Sequence, residues 1–280
     1  MGTMALTKRH ERATAVAVIA GSEDAWVELE EKWLLRCGSV PFHAKDCESD
    51  WEDFAPSSPD LADVKHKENK ALYRDLTTLL VESRLSGIAV AIDLTAQHKI
   101  FPDSTGLSYY RALLECLDGL ANVGQNVGHV VKVTFDISTE NEYNAGLMYK
   151  TLRDAEPKLL EWLHPEISFV NWRDNVRVQT ADLLAYEGWK ALDHTVGPIK
   201  RTRNSWLALR ATDRFETVSY SEEWFRDLKA HIDSGELGKI VGFSESDYRQ
   251  WLKDTRRHHD MSNLILFTDC MRKRYDPEWI

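Results

Sequence analysis

The sequence predicts an α/β protein, a sheet flanked by helices and followed by a helical C-terminal stretch. Three observations carry this reading. Short apolar runs of strand length, Thr14–Ala20 (TAVAVIA) and Gly87–Leu94 (GIAVAIDL), alternate with longer segments. In those longer segments apolar residues recur every three or four positions, the signature of amphipathic helices. The resulting order is strand, helix, helix, strand, helix, strand, helix, strand, helix, a layered α/β pattern.

Taken in order, Thr14–Ala20 is a run of small apolar residues ending at Gly21 and reads as a buried strand. Ser22 then caps a helix with Glu23 and Asp24 in its first turn and Trp26, Leu29 and Trp33 as its buried stripe. Val40–Trp51 reads as a loop, and Ala55–Asp63, with its prolines and serines, as a surface connection. Glu68–Ser86 is helical, with Leu72, Leu76, Leu79 and Leu80 on one side. Gly87–Leu94 is apolar almost throughout, which suits a central strand buried on both faces; Asp93 is its only charge. Leu107–Ala121 is a second amphipathic helix, built on Tyr109, Leu113, Leu117 and Leu120.

His129–Ile137 alternates, with Val131, Val133 and Phe135 facing one way and Lys132, Thr134 and Asp136 the other. A helix over Tyr143–Leu163 leads to a short strand at Ile167–Val170, a polar turn at Asn171–Asn175, and a helix from about Arg177 to His194, stopped by Gly197-Pro198. Beyond it, Ser221–Asp233, Glu245–Arg256 and Met261–Arg272 read as short helices. Residues 1–194 are assigned to one domain, and 195–280 to a helical extension of it, since no linker composition separates them.

Composition sets the outer bounds. Hydrophobic content of 43% and charged content of 29% are ordinary for a globular chain, and no apolar run approaches a membrane span. Cys37, Cys47, Cys116 and Cys270 form no CxxC pair, and the N-terminus lacks a signal-peptide pattern. The expectation is free thiols in a reducing, cytoplasmic setting. A net charge of −10 argues against a protein that coats nucleic acid, but not against one that grips it through a local basic patch.

Several polar groups sit where chemistry is done. Asp93 and Asp136 lie at strand ends, where open α/β sheets place ligands. Gln179 and Asp182 are three apart on one helix face, and Asp182 is flanked by Ala181, Leu183, Leu184 and Ala185. A carboxylate in that company points inward and needs a partner or a metal; an Asp near a helix start also serves as cap or dipole partner. His43, Lys45, Asp46 and Glu48 fall close together and suit metal or substrate binding, a composition that a solvated loop shares. Lys200, Arg201, Arg203, Arg210 and Arg214 surround Trp206, a pattern fit for phosphate contacts and equally for a solvated face. His258-His259-Asp260 has a ligand-like look but reads first as surface. The chain has no GxSxG, phosphate-loop or dinucleotide glycine motif.

VQTADLLAYE (178–187) resembles the C-terminal signature of the domain of unknown function 3800 family, Gln-x-Ala-Asp followed by two hydrophobic residues and Ala-Tyr. In the same order, AVIAGSEDAWVELEEKW (17–33) is similar to the family's strand, glycine and Trp-containing helix, FHAKD (42–46) to its short His motif, and VTFDIS (133–138) to its strand with a terminal Asp. The likeness spans roughly residues 13–194. It implies a ribonuclease H-like mixed sheet flanked by helices and a two-metal Mg²⁺- or Mn²⁺-dependent nuclease, of a kind found near mobile-element or phage-defence genes. Asp136 and Asp182 would be metal-binding carboxylates, Gln179 would position the helix start, and His43 and Asp46 would lie near the site.

One feature departs from the family. Members open with a strand ending in Asp-Glu-Ser-Gly, whose Asp is the central metal ligand; here Met1-Gly2-Thr3 stands where Ser-Gly-Thr would be. The expectation is a chain that starts inside that motif, through a start codon placed too late or a first strand lost.

Two-metal chemistry needs acids gathered at one place, about 3.5–4 Å between cations. The first functional expectation is therefore phosphodiester hydrolysis on DNA or RNA, with Asp136 and Asp182 on metal, and Asp93 or an upstream acid as third carboxylate. In that reading Gln179, Lys45, Lys200, Arg201 and Arg203 face substrate. The second is a catalytically degenerate binding or regulatory protein of the same fold. The third is a metal-dependent hydrolase of a small phosphorylated molecule.

Overall fold

A computed structural model describes residues 12–102, 108–136, 145–146, 149–150, 153 and 161–234. Its elements run β1 (Ala13–Ala20), α1 (Glu23–Cys37), α2 (Ala44–Ser49), α3 (Ala62–Glu82), β2 (Ser86–Asp93), α4 (Leu94–Ile100), α5 (Ser108–Val127), β3 (Val131–Asp136), β4 (Leu163–Val170), α6 (Val176–Val196), α7 (Asn204–Arg210), β5 (Phe215–Tyr220) and α8 (Glu222–Asp233). The fold is α/β, with a mixed sheet flanked by helices: β1 pairs antiparallel with β2, and β2 pairs parallel with β5. A second, parallel pair joins β3 and β4.

The alternation of small and branched residues in β1 and β2 sets the layers. Val16, Val90 and Ile92 share a core with Leu113 and Leu117 of α5. On the opposite face, Ala17 and Ala89 pack with Leu183 and Leu184 of α6, and Ala15 and Ala91 with Leu192. One face of the sheet is thus branched and the other is an alanine ladder, and the ladder lets α6 come very close. A Cβ on Gly188 would stand 2.6 Å from the Cβ of Ala89, and one on Gly87 would stand 2.7 Å from Leu184 Cδ2. These contacts are shorter than side chains tolerate, so both glycines are required by approach distance.

β3 and β4 belong to the same core: Val133, Phe135 and Leu163 cluster with Val16, Val90 and α5. Among the described residues, β1 pairs only with β2 and β3 only with β4, so each has one edge without a partner strand. β4 starts four residues earlier than its apolar run suggests and includes Pro165. The register slips between Val131 and Val133, so Pro165 sits in an irregular stretch where its missing N–H breaks no ladder bond.

Three short helices and one strand depart from the expectations. The predicted loop Val40–Trp51 contains α2, the segment after Asp93 is α4 with Asp93 as its cap, and part of the basic stretch is α7. The segment beyond residue 194, expected to be helical, supplies β5, which extends the main sheet. The helices expected over 245–256 and 261–272, the His258-His259-Asp260 group and most of the 143–163 helix lie outside the described residues, as does Cys270. Cys37, Cys47 and Cys116 are free thiols. Among the described residues no helix is long and apolar enough to cross a membrane.

Candidate functional site

The N-terminal half of α6 is the scaffold of the site. Asn175 caps the helix by accepting from the Val178 N–H at 3.1 Å, and Arg177 ties it to α1 through Glu23 and Glu30. One turn in, Gln179 is buried and uses every polar atom. Its Oε1 accepts from Trp33 Nε1 (3.1 Å) and the Phe42 N–H (3.2 Å), and its Nε2 donates to the carbonyls of Trp172 (3.0 Å) and Arg173 (3.4 Å). Gln179 therefore pins three separate segments: α1, the entry to α2, and the 171–175 turn.

Asp182 comes next on the same face and is buried. Its Oδ2 accepts from the Ala44 N–H at 2.7 Å, the first free donor of α2. His43 occupies the cap position of α2 but makes no side-chain cap bond, so Asp182, far away in sequence, does the capping. That explains why a helix forms where local sequence offers no start signal. Asp182 Oδ1 lies 3.8 Å from His43 Nε2, and His43 Nδ1 is 2.8 Å from Asp46 Oδ2, close but without hydrogen-bond alignment.

Asp136 arrives from the end of β3. Its Oδ1 accepts from the Trp172 N–H at 3.1 Å, and the Trp172 ring packs against His43 with centroids 5.3 Å apart. Burial pushes the Asp136 carboxyl above its ordinary range and the Asp182 charge adds to this, while the Trp172 N–H and His43 oppose it. The 171–175 turn that carries Trp172 is fixed from outside by Arg173, which bridges to Glu52 and Asp53. Asp136, Asp182, His43 and Asp46 are thus brought together by Gln179 and Trp172. Asp93 is not drawn into this set: it is buried at the end of β2 and accepts from the Ala96 N–H at 2.9 Å as the cap of α4. Lys45 is exposed on α2.

Beyond Asp182, α6 carries a second, buried charge cluster that the sequence reading did not single out. Glu187 is fully buried; it accepts from Tyr73 Oη at 2.5 Å and from Arg203 Nε and Nη2 at 3.1 and 2.9 Å. Arg203 also donates to Glu48, which accepts from Tyr186 as well. Burial alone would raise the Glu48 pKa, but these two hydrogen bonds together with the charges of Arg203 and Lys190 outweigh it and the pKa is lowered. Arg203, expected at the substrate, is thus held inside the fold by two carboxylates. Lys200 donates to the carbonyl of Thr195 at the C-terminus of α6, leaving Arg201 exposed beside it. The sign of Glu187 in the sequence was its place among apolar residues, Leu183-Leu184-Ala185-Tyr186 before and Gly188-Trp189 after.

Among the described residues no three His, Cys, Asp or Glu side chains converge as a ready-made metal cage. The donor chemistry nonetheless suits a hard cation. Asp136 and Asp182 each have one oxygen held by a backbone N–H and a second that makes no hydrogen bond among the described residues, and Mg²⁺ is commonly held by one or two carboxylates with waters and substrate phosphate. Compared with protein-family models, curated proteins and solved structures, the chain finds no match.

Proposed function

We propose that this chain is a ribonuclease H-like, metal-dependent nuclease of the domain of unknown function 3800 type, hydrolysing phosphodiesters of DNA or RNA. The observation that carries the proposal is the meeting of Asp136 and Asp182. They come from a strand end and a helix 46 positions apart in sequence, flank the His43–Trp172 contact, and lie close enough for the Asp182 charge to raise the Asp136 pKa. A carboxylate such as Asp136, whose ionisation is opposed by burial and by a neighbouring charge, is a feature of functional sites more often than of inert cores.

In this reading Asp136 and Asp182 hold Mg²⁺ or Mn²⁺, which supplies charge stabilisation and an activated water. The chain's own groups prepare the site. The Ala44 and Trp172 N–H groups fix one oxygen of each carboxylate, and Gln179 fixes the two loops that bear those donors. His43, set between Asp46 and Asp182, is the proton-exchanging group at hand.

Mn²⁺-dependent cleavage of labelled single- and double-stranded DNA and RNA tests the proposal. Asp182→Asn is expected to abolish cleavage while circular dichroism shows an unchanged fold; cleavage at the parental rate in that variant sinks the assignment. The second reading, a degenerate binding protein of the same fold, is favoured because no three His, Cys, Asp or Glu side chains among the described residues converge as a metal cage. Calorimetric titration separates them: a chain that takes up no Mn²⁺ belongs to the second.

A further inference from the structure

We propose that the C-terminal end of α6 forms, with α7 and β5, a second pocket that binds phosphate oxyanions, separate from the carboxylate site. The pocket has a volume of about 910 Å³ and is lined by His194, Lys200, Arg201, Arg203, Arg210 and Thr217, among others. That is the size of a small-ligand site. His194 lies twelve residues beyond Asp182 on α6, roughly 18 Å along the axis at 1.5 Å per residue, so one phosphate group does not reach both.

Charge identifies the ligand class. The chain as a whole carries −10, yet this wall sets four cations against two exposed carboxylates, Asp213 and Glu216. Two of the cations are committed: Arg203 to Glu187 and Glu48, and Lys200 to the Thr195 carbonyl of α6. Arg201 and Arg210 are exposed, and among the described residues neither has a carboxylate within ion-pair distance. Arg210 rests over the Trp206 ring at 5.9 Å, which presents its guanidinium edge. A planar guanidinium without a partner suits a phosphate in bidentate fashion.

The wall holds a second, independent sign of a missing partner. His194 Nδ1 and Thr217 Oγ1 are both shielded from water and make no hydrogen bond. His194 as a whole is 6% exposed. Buried polar atoms without partners are uncommon, and both of these belong to residues that line one cavity, just behind its surface. Burial, then the charges of Lys190 and Arg201, lower the His194 pKa, so the same cationic field that disfavours a proton there favours an anion.

The phosphate could belong to a free phosphate ester or to a nucleic-acid backbone, and two arms distinguish these. In the first, inorganic pyrophosphate is titrated calorimetrically into the full chain at low salt without divalent metal. In the second, a fluorescent single-stranded oligonucleotide is followed by anisotropy across a salt series. Arg201→Glu/Arg210→Glu, at two exposed positions, should weaken binding at least tenfold, and Asp182→Asn should leave it unchanged; Arg201→Ala/Arg210→Ala serves if the reversal fails to fold. Pyrophosphate binding at one site that the Arg variants lose supports a small phosphate ester. Oligonucleotide binding alone, lost in the same variants with a flatter salt dependence, supports a backbone phosphate. Binding of neither probe, or binding that the Arg variants leave intact, overturns the pocket. Because Asp182→Asn tests the carboxylate site and not this one, the two proposals fail separately.

Discussion

Gln179→Leu tests whether the candidate site is held as described. Leucine fills much of the volume of glutamine, so the cavity contribution is small and the loss is chiefly one of hydrogen bonds. Two buried donors, Trp33 Nε1 and the Phe42 N–H, would lose the one acceptor they have among the described residues, Gln179 Oε1. A buried donor left without a partner costs about 1–3 kcal/mol, so two give about 2–6 kcal/mol. The carbonyls of Trp172 and Arg173 lie in a partly exposed turn and turn to water at little cost. Against a total stability of about 5–15 kcal/mol, this is a large fraction. Urea unfolding should show a lower midpoint with an unchanged slope. Adding Trp33→Phe then removes one of the stranded donors, so the double variant should be less unstable than the sum of the singles, by about 1–3 kcal/mol. A single-variant loss under about 1 kcal/mol, or strict additivity in the cycle, refutes the claim that this amide joins the three segments.

Three further outcomes follow from the same structure. Gly188→Ala should destabilise: overpacking against Ala89, about 1–3 kcal/mol, exceeds the gain of up to about 1 kcal/mol in helix propensity. Gly119→Ala on α5, whose Cβ would find Ile88 Cγ2 at an ordinary 3.4 Å, should instead stabilise; thermal melts that rank the two the other way contradict the packing argument. Glu187→Ala, which leaves Arg203 with Glu48 alone and takes the acceptor from Tyr73 Oη, should cost up to about 3–5 kcal/mol, while Glu187→Leu with Arg203→Met should cost much less than the two singles together, as read from urea midpoints. Asp136→Asn concerns pH. The folded-state pKa is raised above the ordinary 3.8, so the carboxyl contributes stability below that value and loses it as pH rises through the folded value. The ionised form is a burden at pH 7, and asparagine, which still accepts from the Trp172 N–H, should raise the midpoint there and not below about pH 4. An equal shift at both pH values removes burial as the cause.

The parts of the fold that were legible in the sequence are those with a strong period. The strands at 13–20, 86–93 and 131–136 and helices α1, α5 and α6 fall within a few residues of where apolar spacing puts them, because each buries a continuous face. What escaped reading depends on distant residues. Helix α2 starts on a carboxylate 138 positions away, and no local capping residue announces it. β5 (FETVSY) is an edge strand with a half-exposed face, and its pattern is too weak beside the arginines that precede it. The site was legible as residue types, and the pairing of Gln179 with Asp182 on one face is where the spacing placed it. That Arg203 serves Glu187 and Asp93 serves a helix start could not be read, because the same side chains in the same sequence would serve a ligand equally well.

Helix α6 shows how the polar groups of this chain sort into fold and function. It buries five of them: Gln179, Thr180, Asp182, Glu187 and His194. Burial without a partner is expensive, so each should answer to something. Gln179 answers to four groups and Thr180 to the Val176 carbonyl; Glu187 answers to Tyr73 and Arg203. These three are satisfied inside the chain, and their removal should be felt as stability. Asp182 is satisfied on one oxygen only, and His194 Nδ1 not at all. The incomplete residues lie at separate stations along one rigid element, one facing a second carboxylate and the other facing unpaired arginines. Opposite charge environments on a single helix are what the two proposals rest on: a cation at Asp182 and an anion at His194. A fold that needed Asp182 and His194 for stability alone would have completed their hydrogen bonds from within, as it did for Gln179 and Glu187.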